Sequence, residues 1–268
     1  SNSDTDVRNV IGSSLANINV SSDGLHVVGC KSNDAYYYPI NNKIVLDEKG
    51  DMTIPNKFKQ ITSGELSMCD ITLNKRIWGF DAGGIVKTSL LSQTGEDWKV
   101  SLENGNDGSV KMRYIQVSDN GSHLVYVDKN DDTTNPPSKG GKVYYQSAVA
   151  PASGSFANVD PIDVNKSLII ASITNDGAVW GVDNLGEVWY TQNRTSWSQQ
   201  TELPTDAQSG ASSAKKLTHI NVSSNGEYVV ACNNEGDIFY LKFDSPTSLT
   251  TVPKAGITWT KLTSLGKK

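Results

Sequence analysis

The chain has 268 residues, a net charge of −5, 37% hydrophobic residues and 20% charged residues. This length and composition allow a sizeable buried core and exclude a disordered chain, a coiled coil and a collagen-like fibre. The sequence has no apolar run near the roughly 20 residues that cross a bilayer, and its negative charge argues against binding nucleic acid through phosphate neutralisation.

The sequence repeats itself at a nearly constant spacing. Five segments of ten residues align without a gap, and their last residues are 51, 46, 56 and 49 positions apart. The segments are Leu15–Gly24, Leu66–Lys75, Met112–Gly121, Leu168–Gly177 and Leu217–Gly226. A period of about fifty residues is typical of a four-stranded propeller blade. We therefore predict one domain over residues 1–268, with repeats at 12–62, 63–103, 109–160, 165–202 and 214–265.

Each segment ends in a predicted hairpin turn. The seventh position carries a hydroxyl side chain and the ninth carries Asp or Asn in every copy, with glycine next in four copies. Asx-Gly between two apolar runs is typical of a β-hairpin. The second copy has Asn74 and Lys75 there, so we expect a different turn.

Three further strands follow each turn. The second strands are predicted at His26–Cys30, Ile77–Phe80, Leu124–Val127, Val179–Val182 and Val229–Cys232. The third strands are predicted at Ala35–Tyr38, Ile85–Ser89, Lys142–Gln146, Glu187–Thr191 and Asp237–Leu241. The fourth strands start at Phe58, Trp98, Phe156, Trp197 and Trp259. This pattern predicts an all-β fold, a five-bladed β-propeller of four-stranded antiparallel blades.

The fifth position of each segment is polar on the strand that should lie innermost. Its residues are Asn19, Asp70, Gln116, Ser172 and Asn221. Polar side chains around a narrow axis would either line a wet channel or form a buried, hydrogen-bonded column, and we favour the column.

Two repeats resemble those of a known family. Residues 173–183 read ITNDGAVWGVD and are followed by GEVWY at 186–190, and residues 71–81 contain an Ile-Trp-Gly-Phe-Asp core. These two segments resemble the tectonin repeat. Tectonin-type propellers are commonly lectins or pathogen-surface recognition proteins, so the resemblance implies a lectin. The familiar members of the family have six blades, whereas five copies are present here.

A polar residue ends the second strand of each repeat, close to aromatic residues. The predicted ligand-binding set is Lys31, Asp81, Asp128, Asp183, Asn233, Trp78, Trp180 and Trp189. Carboxylates and amides bind sugar hydroxyls, and rings stack on a pyranose face. We therefore predict a non-catalytic carbohydrate-binding protein with several weak, quasi-equivalent sites for glycans or glycoconjugates. In the alternative interpretation, the Asx side chains cap turns and the rings pack between blades.

Two other functions stay open. A protein–protein interaction scaffold would show one contiguous apolar or charged patch. A glycosidase or sialidase-like hydrolase is less favoured, although residues 256–259 resemble the end of a sialidase Asp-box. Its substrate site would need clustered arginines, and the four arginines are scattered. His26 and His123 share one repeat position, which is typical of a structural role, so we predict no enzyme.

The sequence predicts no cofactor. Asp128, Asn130 and Asp132 alternate like the first half of a calcium loop, but Thr133 and Lys139 stand where an EF-hand needs Gly and Glu. A solvated loop is the favoured interpretation of that segment.

The cysteines Cys30, Cys69 and Cys232 are far apart in sequence and form no metal-binding pair. We interpret them as buried free thiols, which favours a reducing compartment but leaves a cytoplasmic protein and a secreted protein without disulfides both possible.

Overall fold

The computed structural model describes residues 17–31, 34–39, 45–46, 52–53, 59–91, 96–102, 112–128, 141–147, 167–193, 196–200, 216–243 and 258–262. Regular structure in this part of the chain consists of β-strands, without a helix. Accordingly, none of these residues belongs to a helix that could cross a membrane. The all-β class is confirmed.

Sheet I is an antiparallel meander in the order β1-β2-β3-β6. Its strands are β1 (Asn17–Val20), β2 (His26–Lys31), β3 (Asp34–Pro39) and β6 (Lys59–Glu65). A separate hairpin of β4 (Val45–Leu46) and β5 (Met52–Thr53) lies between β3 and β6 in the chain and was not predicted. The outer strand β6 extends to Glu65, beyond the predicted repeat end at residue 62.

Sheet II repeats the meander in the order β7-β8-β9-β10. Its strands are β7 (Met68–Ile71), β8 (Arg76–Phe80), β9 (Val86–Leu91) and β10 (Glu96–Leu102).

Sheet III has three described strands, β11 (Met112–Val117), β12 (His123–Asp128) and β13 (Val143–Ser147). The fourth strand predicted from Phe156 lies outside the described residues. Sheet IV consists of β14 (Leu168–Ile173), β15 (Val179–Asp183), β16 (Val188–Thr191) and β17 (Ser198–Gln200). Sheet V consists of β18 (Leu217–Val222), β19 (Tyr228–Asn233), β20 (Ile238–Lys242) and β21 (Thr260–Lys261).

The sheets belong to two compact units. The first unit contains sheets I and II, and the second contains sheets III, IV and V. The antiparallel meanders match the predicted blades, whereas the number of blades in a closed ring stays a prediction.

The first hairpin turn of sheets I to V has the same side-chain hydrogen bonds. The hydroxyl of the Ser or Thr at the seventh repeat position donates a hydrogen bond to the Asx side chain two residues later, in the pairs Ser21–Asp23, Thr72–Asn74, Ser118–Asn120, Thr174–Asp176 and Ser223–Asn225. The same hydroxyl oxygen accepts the N–H of a residue at or directly before the start of the next strand: His26, Arg76, His123, Ala178 and Tyr228. These side-chain bonds satisfy backbone donors that the tight turn leaves without a ladder partner.

The turn in sheet II keeps these bonds although its sequence departs from the repeat. Lys75 has a φ of 63°, the left-handed conformation that glycine adopts in the other four turns, for example 69° at Gly24. A side chain at positive φ costs roughly 1 to 2 kcal/mol relative to the ordinary conformation. Lysine in place of glycine therefore raises the conformational free energy of the turn without changing its backbone conformation.

The core of each unit lies between successive sheets. In the first unit, Val28 and Cys30 of β2 pack against Cys69 and Ile77 of sheet II. In the second unit, one cluster joins sheets III and IV, and a larger one joins Trp180 of sheet IV to sheet V. Face-to-face stacking of amphipathic meanders is how propeller blades bury their apolar surface.

Candidate functional site

The Asx residues at the ends of the second strands close the turns that follow. In sheet II, Oδ1 of Asp81 accepts the backbone N–H groups of Gly83 and Ile85 at 2.9 and 3.0 Å. In sheet III, Oδ1 of Asp128 accepts the N–H of Lys142 at 2.7 Å. Oδ1 of Asp81 and Oδ1 of Asp128 are therefore bound by backbone N–H groups of their own sheets.

Sheets IV and V show the same arrangement. Oδ1 of Asp183 accepts the N–H groups of Leu185 and Glu187 at 2.8 and 2.9 Å. Oδ1 of Asn233 accepts the N–H groups two and four residues later, at 3.0 and 2.9 Å. Asp183 and Asn233 are also 4% exposed, which leaves little of either side chain to meet a solute.

The second carboxylate oxygen of each aspartate has a partner as well. These partners are Lys87 Nζ for Asp81 at 3.1 Å, the Tyr144 hydroxyl for Asp128 at 3.3 Å, and Trp189 Nε1 for Asp183 at 3.1 Å. Lys31, at the end of β2, is half-buried. A sugar hydroxyl would have to compete with these intramolecular bonds, which supports the interpretation of the Asx residues as turn caps.

The predicted stacking rings belong to the core. Trp78, Trp180 and Trp189 are 5%, 0% and 6% exposed. Trp180 packs against Tyr190 and Phe243, with ring centroids 4.6 and 5.8 Å away. Stacking on a pyranose needs a ring face open to solvent. The sugar-binding set stays a prediction, and this burial favours the alternative that the rings pack between sheets.

The polar column on the innermost strands is hydrogen-bonded across sheets in the second unit. Oε1 of Gln116 accepts the N–H of Ile173, and Oγ of Ser172 accepts the N–H of Val222, both at 2.9 Å. Gln116 Nε2 and Ser172 Oγ also donate to Oδ1 of Asn221, at 3.3 and 3.2 Å. The first strands of sheets III, IV and V thus converge within hydrogen-bonding distance, as first strands do around a propeller axis.

The two equivalent histidines each contact a tyrosine of the third strand of their sheet. Nδ1 of His26 lies 2.8 Å from the Tyr37 hydroxyl, and Nδ1 of His123 lies 2.6 Å from the Tyr145 hydroxyl. Burial lowers the pKa of His26, and the positive charge of Lys75 lowers it further, while Asp23 opposes the shift.

No group of three or more His, Cys, Asp and Glu side chains among the described residues is arranged to hold a metal. Asn130 and Asp132, of the segment that resembles half of a calcium loop, lie outside those residues, and Asp128 accepts the Lys142 N–H of its own turn.

The first unit has an exposed apolar surface that the sequence analysis missed. Leu25, Leu73 and Leu90 are 48%, 42% and 45% exposed. Leu25 and Leu73 lie in the first hairpin turns of sheets I and II, and Leu90 pairs with Arg76, the first residue after the second of these turns. We call these three residues the leucine edge. In the sequence, only the departure of the second turn from the Asx-Gly pattern indicated that the leucine edge differs from the other turns.

Basic side chains accompany the leucine edge. Lys75 is exposed and Arg76 is half-exposed, and the N–H of Leu91 donates to the Lys75 carbonyl at 3.1 Å. The effect of Lys75 on the His26 pKa places its charge close to the first turn of sheet I as well. The edge therefore combines exposed apolar surface with local positive charge on a chain whose net charge is negative.

No protein-family model matches the sequence, and no curated protein matches it significantly. Solved structures with similar folds exist. One is a nidogen/laminin complex, with a TM-score of 0.56, 10% identity, and coverage of 84% of this chain and 75% of that chain. At this identity the similarity supports the fold alone.

Two other similar structures have lower scores. The β-propeller domain of Cps50 (Swd1) from Myceliophteria thermophila has a TM-score of 0.48 and 11% identity, over 84% of this chain and 68% of that one. A putative 6-phosphogluconolactonase from Bacteroides uniformis has a TM-score of 0.49 and 14% identity, over 91% of this chain and 69% of that one. None of the three is described as a tectonin lectin.

Proposed function

We propose that this protein is a non-catalytic protein–protein interaction scaffold, a five-bladed propeller that binds its partner at the leucine edge. The observation that carries the proposal is the exposure of Leu25 and Leu73 in the first hairpin turns of sheets I and II, and of Leu90, which pairs with Arg76 beside the second turn. Clustered exposed apolar side chains with polar neighbours are typical of protein interaction sites, whereas single exposed leucines are not.

The surroundings of the edge define the chemistry of the partner. Lys75 and Arg76 place positive charge beside the leucines, and opposite charges across an interface raise the association rate and select the partner. We therefore propose a protein segment with apolar side chains flanked by Asp or Glu. The fold is compatible with this role, since the similar nidogen/laminin structure is itself a complex of two proteins.

A carbohydrate-binding function has weaker support in the geometry. The Asx side chains that would bind hydroxyls already cap turns, and the tryptophans that would stack are buried. The resemblance of two repeats to the tectonin repeat is the remaining argument for a lectin. Sugar competition therefore belongs in the test of the scaffold.

The test is affinity capture from a lysate of the source organism, followed by titration calorimetry with the purified partner. The wild-type chain and the triple variant Leu25→Ser, Leu73→Ser, Leu90→Ser are compared. We expect the wild type to retain one stoichiometric protein, and the triple variant to bind it at least about tenfold more weakly, because about 1.4 kcal/mol of apolar contact is worth that factor.

The matched control is Ile85→Ser, which removes an apolar side chain of 38% exposure from the opposite end of the same sheet. This variant should bind like the wild type. Equal binding by the triple variant would contradict the proposal. Release of the partner by free sugars, or a strong signal on a glycan array, would favour the lectin instead.

A further inference from the structure

Two cysteines that are distant in sequence meet in the core of the first unit. Cys30 is in β2 of sheet I and Cys69 is in β7 of sheet II, 39 residues later. Their side chains are 1% and 0% exposed, and both belong to the cluster between the two sheets. The two thiols lie 2.6 Å apart, sulfur to sulfur.

The backbone around Cys69 is held in place from both sides. Asn19 Nδ2 donates to the Cys69 carbonyl at 2.9 Å, and the Cys69 N–H donates to Asn17 Oδ1 at 3.4 Å. Asn17 pairs directly with Cys30 in the β1–β2 ladder. The asparagines of β1 therefore fix β7 against the strand that carries the other thiol.

We propose that Cys30 and Cys69 form a disulfide that covalently joins sheets I and II. The sulfur separation is only about 0.5 Å longer than a disulfide bond of about 2.05 Å. In the presence of a low-molecular-weight disulfide such as oxidised glutathione, the two thiols are oxidised to one S–S bond. The glutathione disulfide is reduced to two thiols, which take up the two protons and two electrons.

The burial of the pair determines when the bond forms. Burial raises the pKa of the Cys69 thiol, and the contact with Cys30 raises it further. Since the thiolate is the attacking species, the folded, reduced pair reacts slowly. The bond therefore forms during folding, while both sulfurs are accessible, and the closed core then protects it from reductants.

The test is refolding of the full chain in a glutathione redox buffer, followed by an acid quench, unfolding and alkylation without reductant. The chain contains three cysteines in all. Mass spectrometry should find one alkylated cysteine, Cys232, and a peptide pair linked through Cys30 and Cys69. After reduction, three cysteines should be alkylated. The oxidised protein should melt about 5 to 10 °C above the reduced protein, because the cross-link closes a long loop.

The variant Cys232→Ala is the matched control, since Cys232 is half-buried in sheet V. It should show the same rise in melting temperature and no alkylated cysteine after oxidation. In Cys30→Ala or Cys69→Ala, whichever folds, the remaining partner should be alkylated and the rise should disappear. Three alkylated cysteines in the refolded wild type, a glutathione adduct on Cys30 or Cys69, or a linkage to Cys232 would overturn the proposal.

Discussion

The first hairpin turns of the two units share one backbone design but differ on their exposed positions. In the second unit, the N–H of Asn120 donates to Asn175 Oδ1 at 3.1 Å, and the N–H of Asn175 donates to the Ser224 carbonyl at 2.9 Å. Neighbouring turns are therefore linked by polar contacts. In the first unit Leu73 stands at the position of Asn175 and points an apolar side chain to solvent.

The two units therefore differ at turn positions that do not bond to the backbone of their own turn. The hydroxyl and Asx positions are kept in both units because each turn needs them to satisfy its backbone. The position between them varies. In sheet IV it carries Asn175, which bonds to the neighbouring turns, and in sheet II it carries the exposed Leu73.

The first prediction concerns the cores of the two units, which we expect to be alike although the turns differ. It involves the greatest loss of free energy of unfolding. Trp180→Ala in the second unit should lower the free energy of unfolding by about 3 to 5 kcal/mol, because it empties a fully buried site. Trp78→Ala, at the equivalent position of the first unit, should lower the free energy of unfolding by nearly as much. Urea unfolding followed by circular dichroism gives the values, with Ile85→Ser as the surface control. A loss below about 1 kcal/mol for Trp78→Ala would mean that the two cores are not equivalent.

The two units also differ in the space around the glycine of the second strand. At Gly79 an added Cβ would lie 2.5 Å from the Met68 carbonyl oxygen, whereas at Gly181 it would first meet the Leu168 side chain. A backbone atom moves less readily than a leucine, so Gly79→Ala should cost about 2 to 3 kcal/mol and Gly181→Ala about 1 to 2 kcal/mol. The reverse order in urea unfolding would refute this reasoning. Ala231, at the same repeat position in sheet V, shows that an alanine is accommodated there.

The Asx caps provide a third comparison. Asp183→Ala removes Oδ1, the acceptor of two backbone N–H groups, and Oδ2, the acceptor of the buried Trp189 indole N–H, so it should cost about 2 to 3 kcal/mol. Asp81→Ala, in a more exposed turn, should cost about 1 kcal/mol. Thermal unfolding measures both, and Asp183→Asn is the control that keeps the Oδ1 acceptor. A fully stable Asp183→Ala variant would show that the carboxylate is not held for structure and would revive its predicted role in sugar binding.

The smallest expected effect concerns the left-handed turn residue. Lys75→Gly should stabilise the protein by about 0.5 to 1 kcal/mol, because glycine adopts positive φ without a steric penalty. The reciprocal variant Gly24→Lys, in a turn with open space around its Cα, should destabilise it by a similar amount. A loss of stability in Lys75→Gly would show that the lysine makes a favourable contact that outweighs the strain.

The repeat made most of the fold predictable. The five hairpins and the second and third strands follow from residues that act within about ten positions of one another, and the structure has them close to where they were predicted. The polar column is hydrogen-bonded between sheets III, IV and V, whereas a column of all five residues stays a prediction. The hairpin of Val45–Leu46 and Met52–Thr53 was missed, because it lies in an insertion with no counterpart in the other copies. The site was harder to predict, because Asp183 and Trp189 suit a sugar pocket and a turn cap equally well until their burial is known.

The hairpin turns could be located from the sequence, because each turn depends on side chains that bond to nearby backbone. The apolar strand faces and the number of repeats could be read as well, because both are patterns of residue type along the chain. The contact of Cys30 with Cys69, the burial of the three predicted stacking tryptophans and the exposure of Leu25, Leu73 and Leu90 became apparent only in the folded chain. All three depend on how neighbouring sheets stack. Stacking brings together residues that are far apart in the chain, and their sequence positions do not reveal these contacts.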